Sequence, residues 1–299
     1  MTEYGEKHIQ ETLPKITKAL GAAPLEISGL TVLKKGMTNQ SVLFSCRGKR
    51  YILRIPGEGT DKLINRKQEA AVYESIQGAG IGDDLVFVDP ETGYKLTEYW
   101  EGARTCDPAN ADDVYACMRR LHAFHGLKLT VAHTFDLFGQ IDFYEWLRKG
   151  VSVYADYAET KEHVFTMREW IAQHAKPYVL THIDAVPDNF LFLPGLKEPR
   201  LIDWEYAGMQ DPDVDIAMFC IYAGYTHPQV DSLMEAYYPE GCTDEVRTKI
   251  YGYMAVCGLL WSNWCEYKHT LGANFGDYAR RQYDYAKEYS KIFWEKIEK

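Results

Sequence analysis

The sequence predicts an α+β fold of two lobes, a small β-rich one followed by a larger, mainly α-helical one. Three observations carry that expectation. Up to about residue 98, short strand-like apolar runs alternate with hairpin signals and are broken by one helical stretch. From Asp107 onward, apolar residues recur mostly at helical spacing. The length of 299 residues suits two ordinary domains.

The elements follow in order. Ile9, Leu13, Ile16 and Leu20 repeat every three to four residues and predict an amphipathic helix. Leu30–Leu33 reads as a strand, and Val42–Cys46 and Tyr51–Ile55 flank the turn Arg47-Gly48-Lys49-Arg50. Pro56-Gly57 ends the third strand, and a helix is expected over Asp61–Gln77, stopping at Gly78. Leu85–Val88 and Tyr94–Glu98 flank Asp89-Pro90-Glu91-Thr92-Gly93, a second hairpin. The sum is a five-stranded antiparallel sheet with one helix inserted after strand three. The boundary falls just after Glu98, giving lobes 1–98 and 99–299. In the second lobe Tyr178–Thr181, Phe190–Phe192 and Arg200–Ile202 read as short strands. Long helices over Thr243–Thr270 and Phe275–Ile297 close it.

Composition narrows the function. A hydrophobic content of 46% with 25% charged residues excludes wholesale disorder. With 33 Lys and Arg against 43 Asp and Glu, the net charge is −10, which excludes the basic footprint of a nucleic-acid binder and suits a cationic partner. Aromatics reach 14%, an excess that points beyond core packing. Seven cysteines, an odd number with no C-x-x-C pair, argue against a disulfide framework or zinc ribbon and for a reducing compartment. The charged N-terminus and the lack of any long apolar run predict a cytoplasmic protein with no membrane partner.

The chemistry concentrates in Thr181-His182-Ile183-Asp184-Ala185-Val186-Pro187-Asp188-Asn189, which contains H-x-D-x-x-x-x-N. A strand pair later comes Ile202-Asp203-Trp204-Glu205. Phosphoryl transfer needs one carboxylate for the proton of the attacking hydroxyl, and an amide oxygen and a second carboxylate to hold Mg²⁺ against nucleotide phosphates. Asp184 fits the base, and Asn189 and Asp203 the metal ligands. The competing explanation is a helix-capping turn, which does not account for a strand and a further aspartate in register. Upstream, Gly36-Met37-Thr38-Asn39-Gln40-Ser41 enters the first hairpin, where Thr38, Asn39 and Gln40 can set polar groups over phosphates. Arg54 lies in an apolar strand and needs a partner, and Glu69 on the following helix is the natural one. A cation held by a helix carboxylate and aimed at phosphates is the kinase arrangement, here with Arg for Lys.

On these residues the chain resembles the choline/ethanolamine kinase family, of the bacterial choline kinase type, within the aminoglycoside phosphotransferase and protein-kinase-like superfamily. The matching stretches are GMTNQS (36–41), KLINRKQE (62–69), THIDAVPDNF (181–190), LIDWEYAGMQDPDVDIAMF (201–219) and LLWSNWCEYKHTLGANFGDYARRQY (259–283). The resemblance implies a protein-kinase-like fold, ATP as donor, Mg²⁺ as cofactor and a small cationic amino alcohol as acceptor. It implies Asp184 as base, Asn189 and Asp203 as metal ligands, Arg54 and Glu69 as the phosphate-anchoring pair, and Glu98 and Tyr99 as the adenine-binding hinge backbone. Asp215 would be a helix carboxylate bracing the catalytic loop. Lys35 stands where similar enzymes have a second glycine, and the D-F-G and A-P-E segments of protein kinases are absent, which argues against protein substrates.

Choline carries a fixed charge and no N–H, so aromatic faces bind it where a carboxylate would bind an ammonium. Trp261 and Trp264 stand at i and i+3 on one helix and share a face. Tyr278 on the next helix, Tyr206, Tyr222 and Tyr225 would complete a cage, and the resemblance implies that the matching Trp pair lines the choline pocket. Any one of these rings is also an ordinary core residue by type. Among the remaining features, His182 is read as loop-shaping and Glu205 as a supporting carboxylate. Glu205 and Glu266 would also serve a primary amine such as ethanolamine or an aminoglycoside. His122 and His125 share a helix face with no evident carboxylate partner, and are read as packed. Gly78–Gly82 reads as a helix C-cap, and Arg119-Arg120 and Arg280-Arg281 as solvated faces. A catalytically silent kinase-like binding protein is the alternative of a different class, disfavoured by intact Asp184, Asn189 and Asp203.

Overall fold

The structure, a computed structural model, describes residues 3–33, 39–57 and 59–298. Thr38 of the expected phosphate loop lies outside the described residues, with Lys35, Gly36 and Met37. By contacts the chain divides into two units. The first runs to Arg104 and also takes in Leu191–Tyr206, while the second comprises Thr105–Phe190 and the chain from Ala207 on. The return of 191–206 to the first unit has no counterpart in the single boundary expected after residue 98.

In the first unit α1 (Glu3–Leu20) precedes β1 (Ile27–Val32), β2 (Asn39–Cys46) and β3 (Lys49–Pro56), then α2 (Arg66–Ile76), β4 (Leu85–Val88) and β5 (Lys95–Glu98). The sheet order is β1-β2-β3-β5-β4 and every pairing is antiparallel. Arg47 and Gly48, both at positive φ (51° and 78°), close the β2–β3 hairpin in two residues, because a turn of that hand matches the strand twist. Val42, Phe44, Leu53, Ile55 and Leu96 form the buried inner face with Ile16 of α1. The inserted helix begins at Arg66 rather than Asp61. Asn65 caps it, its side chain accepting from the N–H groups of Lys67 and Gln68, while Thr60–Lys62 form a separate tight turn. Gly78, at φ 77°, follows its end.

The chain passes between the units at β6 (Arg104–Thr105) and β8 (Phe190–Phe192), and β9 (Arg200–Leu201) lies in the first. The second unit holds α3 (Ala111–Gly126), α4 (Leu137–Arg148), α5 (Tyr157–Thr166) and α6 (Arg168–His174). The strand β7 (Val179–Thr181) follows and pairs antiparallel with β10 (Gly208–Gln210). Four helices close the unit: α7 (Asp213–Ala223), α8 (His227–Tyr237), α9 (Asp244–Thr270) and α10 (Asp277–Ile297). The helix α9 is buried on every side from Thr248 to Lys268, as befits a central helix packed by α4, α7 and α10. At Gly258 α10 comes so close that a Cβ would lie 2.6 Å from the Gln282 carbonyl oxygen and 2.9 Å from the Ala286 nitrogen. All seven cysteines are free and six are buried. Among the described residues no helix is long and apolar enough to cross a membrane.

Candidate active site

In the second unit β7 delivers the chain into the loop 182–189. Asp215, fully buried in the first turn of α7, accepts from the backbone N–H of His182 (2.9 Å) and of Ile183 (2.7 Å). Ile183 has φ 70°, a left-handed conformation that costs a β-branched residue about 1–3 kcal/mol. The two bonds to Asp215 hold that turn and so fix where Asp184 emerges, half-buried. Asn189 donates its amide to the Asp184 carbonyl (2.8 Å) and carboxylate (3.2 Å). With its nitrogen so committed, its carbonyl oxygen is the atom that can serve a cation. His182 is fully buried, consistent with shaping the loop.

Of the six expected cage rings, Tyr222 and Tyr278 come together at this loop, and Trp261 and Trp264 form a second pair in the same unit. Tyr222 donates its hydroxyl to Asp188 (2.7 Å) and meets Tyr278 edge to face at 5.8 Å. Burial first, then the charges of Asp188 and Asp184, pushes the Tyr222 phenol up. Burial does the same at Tyr278, with the charges of Cys265 and then Asp184 contributing. Trp261 and Trp264 are buried and meet at 5.9 Å and 70°. The indole of Trp261 points its N–H at the Met218 sulfur of α7 (2.8 Å), and Trp264 packs on Phe275 (5.1 Å) just before α10. Tyr225 is not brought to this group. Its hydroxyl donates to the Pro108 carbonyl (2.6 Å) and its ring faces Phe219. Tyr206 is buried in the first unit. Glu266, expected to remain open to an amine, instead binds Arg148, the Ser152 hydroxyl (2.9 Å) and the Val153 N–H (2.7 Å).

The first unit contains a second constellation. Arg54, its side chain 6% exposed, sets one nitrogen 2.5 Å from Glu69 and the other 3.2 Å from Asp203 and 3.4 Å from Glu205. Arg66 bridges Glu69 (3.0 Å) and Glu205 (3.2 Å). Two guanidinium groups thus face three carboxylates, leaving one negative charge in surplus. Asp203 is the most open of the three, at 31% against 0% and 2%, and takes a left-handed φ of 68°. Burial, then the charge of Glu205, pushes its carboxyl up to about 6 against the pull of Arg54 and Lys95. A divalent cation would relieve that surplus, so Asp203 fits a metal ligand. Among the described residues no group of three or more His, Cys, Asp or Glu is arranged to hold a metal. A carboxylate oxygen is a hard donor of the kind Mg²⁺ takes, with phosphates and water filling its other positions.

Five residues are placed differently from the sequence reading. Asn39, expected over phosphates, donates its amide to Glu205 (2.9 Å) and so orients that carboxylate, while Gln40 sits half-buried in β2 opposite Ile55. Glu205 itself is nearly enclosed by Arg54, Arg66 and Asn39, so it belongs to the ion network and is not offered to an amine. At the expected hinge, the Glu98 N–H bonds the Asp84 carbonyl (3.0 Å) and the Tyr99 N–H the Arg50 carbonyl (2.9 Å), so neither is left to donate to an adenine. His125, read as lacking a carboxylate, faces Asp215 at 2.9 Å, a partner hidden by a separation of 90 residues. Arg66 was missed altogether. Its signal was the three-residue spacing to Glu69 on one helix face.

A family model described as choline/ethanolamine kinase matches residues 30–242. Protein LicA of Haemophilus influenzae is 30% identical over 267 residues, covering 84% of this chain and 97% of its own. The crystal structure of choline kinase LicA from Streptococcus pneumoniae is similar at a TM-score of 0.82 and 30% identity, over 95% of this chain and 99% of that one. A structure of LicA in complex with AMP is similar at 0.81 and 30% identity, over 95% and 98%.

Proposed function

The chain belongs to the choline/ethanolamine kinase family, and on that premise we propose that it transfers the γ-phosphoryl group of ATP to the hydroxyl of choline, giving phosphocholine and ADP. In this reading Asp184 accepts the hydroxyl proton as the alkoxide oxygen forms its bond to phosphorus and the bond to the ADP oxygen breaks. Arg54, held by Glu69, anchors the phosphates. Asn189 and Asp203 hold Mg²⁺, which when bound shields the phosphate charge from the incoming oxygen. Removing either ligand raises the Mg²⁺ concentration at half-maximal activity, Asp203→Ala more than Asn189→Ala, because a carboxylate brings a full charge and an amide only a dipole. A Mg²⁺ titration of turnover checks this, and an unchanged midpoint in both variants removes them as ligands.

The observation that carries choline as acceptor is the two ring pairs Trp261–Trp264 and Tyr222–Tyr278 in the unit that holds Asp184, with Tyr222 bonded to Asp188 of the same loop and Glu266 of that unit bound to Arg148. Quaternary ammonium buries its methyls against rings at no hydrogen-bonding cost. An ethanolamine ammonium would strand donors there, at ~1–3 kcal/mol for a buried donor. Choline is therefore expected to exceed ethanolamine in kcat/KM. Trp264→Leu and Trp261→Leu keep apolar volume while removing the π face, and should lower kcat/KM for choline by ~2- to 30-fold while narrowing its lead. Steady-state kinetics on both acceptors decides. Equal or better use of ethanolamine by the wild type promotes that acceptor instead.

A further inference from the structure

His125 ends α3 with both ring nitrogens engaged and the side chain buried. Its Nε2 lies 2.9 Å from Asp215 Oδ2, and its Nδ1 lies 2.7 Å from the Tyr237 hydroxyl at the end of α8. A carboxylate only accepts, so Nε2 carries the proton, and in the neutral ring Nδ1 accepts from Tyr237. Asp215 is thereby gripped by three N–H groups, two from the backbone of the catalytic loop and one from His125. The loop bonds hold Ile183 in a left-handed turn immediately before Asp184. Without the third donor, the carboxylate is free to rotate toward one backbone N–H at the other's expense, and that turn loses its definition.

We propose that His125 is a positioning residue for phosphoryl transfer, acting through Asp215 on the backbone of His182 and Ile183 and so on the placement of the Asp184 carboxylate. The inference rests on the reading of Asp184 as the base. Its signature is a loss in kcat with little change in KM, because substrates contact neither His125 nor Asp215 in this reading, while small displacements of a reacting group are costly to the chemical step.

The test compares two amides of nearly equal polarity. His125→Gln reaches the position of Nε2 and restores a donor to Asp215, whereas His125→Asn ends near the position of Nδ1 and leaves Asp215 short. With choline and ATP, H125Q should stay within ~3-fold of wild-type kcat and H125N should lose ~10- to 100-fold, both with KM values within ~2-fold. Equal kcat in the two variants, or a loss that appears in KM alone, overturns the proposal. Tyr237→Phe retains the ring but drops the hydroxyl that fixes the imidazole, and should lower kcat by ~3- to 10-fold at unchanged KM. It carries the test should neither His125 variant fold, and unchanged kcat overturns the proposal there too. Wild type measured alongside separates the two levels. An inactive wild type with every acceptor defeats the kinase reading and this proposal with it, while an active wild type with equal His125 variants defeats the proposal alone.

Discussion

Asp184→Asn is expected to lower turnover with choline by ~10²- to 10⁴-fold while leaving ATP affinity close to that of the wild type. The substitution is nearly isosteric. It retains the backbone carbonyl that Asn189 binds at 2.8 Å, and the loop stays pinned to Asp215 through residues 182 and 183. What changes is proton affinity, since a side-chain amide cannot take up the proton of an attacking alcohol. Single-turnover phosphorylation separates this from slow product release, and calorimetric titration with a nucleotide checks binding. Turnover near that of the wild type would show that the proton leaves by another route.

Arg54→Met is expected to fail in a different way, by stability as well as activity. Arg54 is the cation closest to Glu69, at 2.5 Å, and also faces Glu205 and Asp203. Removing it leaves Glu69 and Glu205, at 0% and 2% exposure, to the guanidinium of Arg66, and takes away the one that faces Asp203. Breaking a buried pair from one side typically costs about 3–5 kcal/mol, which for a chain of this size is on the order of 10 °C in Tm. Arg54→Lys keeps the charge but loses the fork that reaches several carboxylates at once, and should fall between the two. Adding Glu205→Gln to Arg54→Met should recover part of the loss, because it removes one of the two negative charges then in surplus. Thermal unfolding of the four proteins checks the series, and a melting temperature for Arg54→Met within a degree of the wild type rules out the network as a support.

Much of this was legible along the chain. The β2–β3 and β4–β5 hairpins were written in local turn chemistry, and the five-stranded sheet followed from them. Arg54 and Glu69 declared each other because a charge in an apolar strand requires a partner. The loop from His182 to Asn189 was readable because its residue types have few other reasons to occur at that spacing. Other features were hidden for a common reason, that their partners are remote. Nothing near His125 points to Asp215, nor near Asn39 to Glu205, 166 residues away. The hinge N–H groups turned inward because the sheet edge at Asp84 and Arg50 supplied acceptors, a matter of register invisible in one strand. The late start of α2 was legible but overlooked, since Asn65 followed three residues later by Gln68 is a helix-start spacing.

The glycine at 258 has a consequence for how the two helices that carry the proposed acceptor rings are spaced. Its neighbours across the helix contact are main-chain atoms of Gln282 and Ala286, not the tips of flexible side chains. A methyl group there would have to move a helix, not a rotamer. One turn along α9 from Gly258 stands Trp261 and nearly a second turn on stands Trp264, and one turn back along α10 from Gln282 stands Tyr278. The separation of the two helices that carry these rings is therefore gauged by backbone touching backbone. Under the proposed function, exchanging individual rings would retune the chemistry of the acceptor wall, while the spacing of the helices that bear it is one that no ring controls.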